Sequence, residues 1–71
     1  MTKYIIYAED DSRPGKQTQI KKIKREYEAL DFISDFRNLQ RYGCMSAVRI
    51  SDDGAHFRWN NETSVWESAE E

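Results

Sequence analysis

Tyr4, Ile5, Ile6 and Tyr7 put aromatic and β-branched side chains on both parities of one short run, and acidic residues close it. This predicts a strand over residues 3–8 with two apolar faces, as in a central strand. Residues 9–16, punctuated by Ser12 and Pro14-Gly15, read as a loop. Residues 17–42 invite a single long helix, but the spacing argues against it. At 100° per residue Ile20, Ile23, Tyr27 and Leu30 share one face, while Ala29, Phe32, Ile33, Phe36 and Leu39 share another. One straight helix cannot bury both stripes against a single layer.

The second stripe therefore predicts one helix over residues 28–41. Glu26, Glu28 and Asp31 suit its positive N-terminal end, Arg37 and Arg41 its C-terminal end, and Gly43 is placed to terminate it. No Ser, Thr, Asp or Asn stands at the expected N-cap. Residues 18–25 then form a second strand, in which Ile20 and Ile23 fall on opposite faces unless a bulge intervenes. Cys44, Ser46, Val48 and Ile50 alternate with Met45, Ala47, Arg49 and Ser51, the pattern of a third strand. Asp52-Asp53-Gly54 predicts a hairpin turn into a strand over 55–60, where Phe57 and Trp59 alternate with His56 and Arg58. A turn over 60–63 leads to a short last strand at 64–67. The order β-β-α-β-β-β predicts an α+β fold, a mostly antiparallel five-stranded sheet with one helix packed on one face. Residues 1–71 read as one domain, with 68–71 as a frayed acidic tail.

Composition narrows the chemistry. The 71 residues include one cysteine, Cys44, so no internal disulfide is available. With His56 the only histidine, no zinc site is expected, and no other cofactor is implied. A nucleophilic pair would have to be Cys44 with His56, at opposite ends of a predicted hairpin, with nothing to orient the base. A half-buried cysteine and a surface histidine are the plainer assignment. Three glycines in separate turns make no phosphate-cradling loop. The expectation is a non-enzymatic protein without a small-molecule substrate. The chain shows neither an apolar run of membrane-spanning length nor a signal-peptide pattern, which points to a cytoplasmic protein without a membrane partner. Asn61-Glu62-Thr63 matches a glycosylation sequon and is read as a turn.

Charge is where the sequence is least ordinary. Arg13, Lys16, Lys21, Lys22, Lys24 and Arg25 stand in an interval without an acidic residue, although the whole chain has 11 basic and 13 acidic residues and a net charge of −2. Such a tract suits an acidic partner, either nucleic acid or a protein surface that normally holds nucleic acid. The competing reading is a strand edge kept soluble by lysines. Lys21, Lys22, Lys24 and Arg25, joined by Arg37 and Arg41 from the helix, form the predicted partner-binding set. A secondary interface is predicted from Arg49, Arg58 and Trp66, with Trp59 nearby, on the sheet face away from the helix, where arginine and tryptophan favour protein contacts or base stacking. Against this stands a core role for both tryptophans.

One resemblance bears on these expectations. Tyr4-Ile5-Ile6, then Thr18-Gln19-Ile20, a single helix, Gly43, Val48-Arg49-Ile50, Gly54 and Trp66 follow an order that resembles small phage-encoded anti-CRISPR proteins that inhibit type I-F surveillance complexes. The resemblance implies a stoichiometric inhibitor in the host bacterial cytoplasm. It would dock on the backbone subunits of a guide-RNA complex and block hybridisation of target DNA. No contact residue transfers from it. A net charge of −2 disfavours a wholesale DNA mimic. The alternative is a small nucleic-acid-binding regulator, or an accessory subunit of a larger assembly, that binds nucleic acid directly.

Overall fold

The computed structural model describes residues 1–9 and 15–68, so Arg13 and the last three residues of the predicted tail lie outside the described residues. Five strands form one antiparallel sheet: β1 (Lys3–Glu9), β2 (Gln17–Ile23), β3 (Met45–Ile50), β4 (His56–Asn60) and β5 (Val65–Ser68), in the spatial order β2-β1-β3-β4-β5. β1 is interior, as its two apolar faces require, and β2 is an edge. Tyr4, Ile6 and Ala8 of β1 lie across from Arg49, Ala47 and Met45 of β3, so all six share one sheet face. That face, Arg49 excepted, forms the core together with Ile23, Ala29 and Ile33. Ile6, Ala29 and Ala47 are wholly buried. Small residues at two of these positions allow the helix backbone to approach the sheet.

A β-bulge resolves the imperfect alternation of the second strand. Ile6 pairs with Lys21 and Tyr7 with Gln19, which leaves Ile20 as the extra residue. The bulge resets the alternation, and Ile20 and Ile23 both pack on the core. The second strand ends at Ile23, before the predicted residue 25, because Lys24 bends and Arg25 becomes the N-cap of a helix.

The single helix expected over 28–41 is corrected to two, α1 (Glu26–Ser34) and α2 (Phe36–Tyr42), giving the order β-β-α-α-β-β-β. Asp35 makes the break. Its backbone is extended (φ −68°, ψ 126°) and its carboxylate accepts the Arg37 N–H at 2.8 Å, so it ends one helix and caps the next. Ser34 adds to this by turning its hydroxyl back on the Leu30 carbonyl at 2.9 Å. The break redirects the apolar stripe. Ala29 and Ile33 are buried, whereas Phe36 is 70% exposed and no residue of α2 is buried. Gly43 terminates α2 as expected, with φ 74° and its N–H donated to the Leu39 carbonyl. Gly54 closes the β3–β4 turn at φ 88°, a conformation that glycine adopts without strain. The sequon is a turn, in which the Asn60 side-chain oxygen accepts from the backbone N–H groups of Glu62 and Thr63. Ser68, assigned to the tail, belongs to β5.

Candidate docking face

Register assigns each basic residue to a side of the sheet. Lys21 lies across from Ile6 and so projects on the helix side, while Lys22 lies across from Ile5 and projects on the opposite, open side. The basic tract is therefore divided around an edge strand and does not form one surface.

On the helix side Lys21 meets the helices. Its Nζ lies 6.0 Å from the centroid of the Phe32 ring, which stacks on Tyr42 at 6.3 Å and 30°. The Arg41 guanidinium lies 5.3 Å from the Tyr42 centroid. Two cations from distant parts of the chain are thus linked through one aromatic pair, with geometry suited to cation–π attraction. The Asn38 side-chain amide donates to the Phe32 carbonyl at 3.1 Å and fixes α2 against the end of α1. Phe36 and Leu39 are exposed on α2, on a different side of this short helix from Arg37 and Arg41. Leu39 is 42% exposed. Arg25 donates to the Tyr27 hydroxyl at 3.0 Å, and Arg37 is exposed on α2. Among the described residues, none of Lys21, Lys22, Lys24, Arg25, Arg37 and Arg41 is in an ion pair. Their charges are available to an outside acid.

The secondary cluster is placed differently from expectation. Arg49 shares the helix side with Tyr4, because the two lie across from each other in the β1–β3 ladder, and Phe57 lies across from Arg49 in the next one. The Arg49 guanidinium lies 4.5 Å from the Phe57 centroid and 5.2 Å from that of Trp66, and its Nε is buried without a hydrogen-bond partner. Trp59 and Trp66 face each other across β4–β5 with centroids 5.2 Å apart, and both pack against the core. Trp66 Nε1 donates to Glu26 Oε1 at 2.6 Å, which ties the start of α1 to the last strand. Arg58, across from Val48, is on the open face and exposed. The expected grouping of Arg49, Arg58 and Trp66 on the face away from the helix is therefore corrected. Arg49 and Trp66 brace the helix side, and Arg58 stands apart from them.

Cys44 is exposed, where half-burial was expected. His56 is exposed across from Ile50, and Cys44 precedes Met45 at the other end of the β3–β4 hairpin. Among the described residues no group of three or more His, Cys, Asp or Glu side chains could hold a metal ion, and no helix is long and apolar enough to cross a membrane. Sequence reasoning missed Phe36 and Leu39 as surface residues and missed Lys3 as a neighbour of Lys22. The Ser34-Asp35 doublet was the available signal for the first, and strand register for the second. Compared with protein-family models, with curated proteins and with solved structures, the chain matches none.

Proposed function

We propose that this chain is a non-catalytic docking protein that uses the helix-side cations Lys21 and Arg41, with Arg37 and the exposed Phe36 and Leu39 elsewhere on α2, to seat on an acidic or nucleic-acid-binding surface of a larger assembly. The observation that carries the reading is the link from Lys21 to Arg41 through Phe32 and Tyr42, on a fold whose second helix also exposes Phe36. Apolar side chains at the centre of a contact supply most of its energy once water is excluded, and a cationic rim steers encounter and fixes orientation. A purely electrostatic phosphate contact has no use for Phe36 and Leu39, which favours a protein partner over bare nucleic acid on this face. The specific form of the reading is the inhibitor that the resemblance implies, docked on a type I-F CRISPR surveillance complex so that target DNA is kept out. The test is to mix the purified chain with guide-RNA-loaded complex. Co-elution as a stoichiometric assembly that no longer binds target DNA is the expected result. Separate elution with DNA binding intact would remove this form of the proposal.

A further inference from the structure

The open face of the sheet carries a second basic feature, and the docking face does not account for it. A cleft of about 270 Å³ at the end of the β1–β2 pair is lined by Met1, Thr2, Lys3, Lys22, Ile23 and Lys24. Lys3 lies on the same face as Ile5, and Lys22 lies across from Ile5. The β1–β2 ladder ends where Tyr4 lies across from Ile23, and Lys24 follows in the bend that closes β2, in the lining of the same cleft as Lys3. Like charges gathered in one cleft repel. No carboxylate lines the cleft, and none of the three lysines is in an ion pair among the described residues. The lysine methylenes give the walls an apolar body beneath three ammonium groups. The Met1 amino group is paired with Asp52, which leaves the three lysines as the cleft's uncompensated positive charge among the described residues.

We infer that this cleft binds the phosphate backbone of a single nucleic-acid strand through Lys3, Lys22 and Lys24. Lysine acts as a point charge toward phosphate and does not need the planar fork that carboxylates take from arginine. Three ammonium groups, from two strands and the bend after β2, suit successive phosphates of a strand crossing the sheet end. A single carboxylate would leave two of the charges uncompensated. The inference is independent of the proposed docking face, because Lys3 is no part of that face and Lys21, Phe36 and Arg41 are no part of the cleft.

The test is fluorescence anisotropy with a short labelled oligothymidylate, titrated over a salt series. Binding should weaken with salt, with a log–log slope of about −2 from three phosphate contacts on a single strand. Lys3→Gln, Lys22→Gln and Lys24→Gln together should abolish most of that slope and weaken binding by at least about tenfold at low salt. Lys21→Gln with Arg41→Gln should leave most of it in place. Amide shifts of the unmodified protein on adding the oligonucleotide should cluster at Lys3 and at Lys22 to Lys24, a readout that does not depend on any variant folding. Three results would each overturn the inference: an unchanged slope in the folded triple variant, shifts clustered at Phe36 and Arg41, or a poly-glutamate peptide bound as tightly as the oligonucleotide.

Discussion

Lys21 and Arg41, one on an edge strand and the other on a short helix, are linked through a single stacked pair of aromatic rings. The link depends on three local events. The bulge at Ile20 puts Lys21 on the helix side, the break at Asp35 tilts α2 away from the core, and the Asn38 amide holds α2 against Phe32. A continuous helix would have kept Phe36 in the apolar stripe that Ala29 and Ile33 bury.

Phe36 should behave as a surface residue. Phe36→Ala is expected to change unfolding free energy by no more than about 0.5 kcal/mol in urea titrations, while weakening partner binding by roughly tenfold or more. Ile6→Ala should do the reverse. Ile6 is fully buried, so its truncation should cost about 2–5 kcal/mol in the same titrations.

Asp35 should matter through its side chain. Asp35→Ala removes the acceptor for the Arg37 N–H and should cost about 0.5–2 kcal/mol. Hydrogen exchange should locate the loss in α2, with α1 and the sheet still protected. A uniform rise in exchange over both helices would mean that Asp35 supports more than the cap.

The Trp66–Glu26 hydrogen bond should appear as a coupling energy. Trp66→Phe removes the donor and Glu26→Ala the acceptor, and a double-mutant cycle should return about 0.5–1.5 kcal/mol. Additive single effects would show that the indole is held by Tyr4, Trp59 and Arg49 packing alone.

Much of the sheet was legible in the chain. Tyr4, Ile6 and Ala8 with Met45 and Ala47 carry the alternation of one buried face, and Asp52-Asp53-Gly54 and Gly43 mark turns that need a positive φ. The helix break was harder to see, because Phe36 and Leu39 keep the helical spacing of Ala29 and Ile33 across Asp35. Periodicity gives the direction of a side chain and not whether anything covers it. The face of Arg49 was obscured for a related reason. Val48 and Ile50 are the apolar parity of that stretch, yet they point to the open side, while Arg49 follows Ala47 to the helix side, where Phe57 and Trp66 cover it. The basic tract was visible as composition, but its division between two faces is a product of register, and Lys3 joins it only once β1 and β2 are paired.

The central claim is that Lys21 and Arg41 act together in docking on a protein assembly. The most direct measurement is the affinity of the Lys21→Glu, Arg41→Glu double variant for the guide-RNA-loaded type I-F complex, beside the unmodified chain and at two salt concentrations. Both side chains lie on the surface, so circular dichroism and melting should remain close to those of the parent. The account predicts a loss of affinity on the order of 100-fold, larger at low salt, where screening is weak. A folded double variant that binds as tightly as the parent would contradict it and leave Lys21 as a solubilising edge residue.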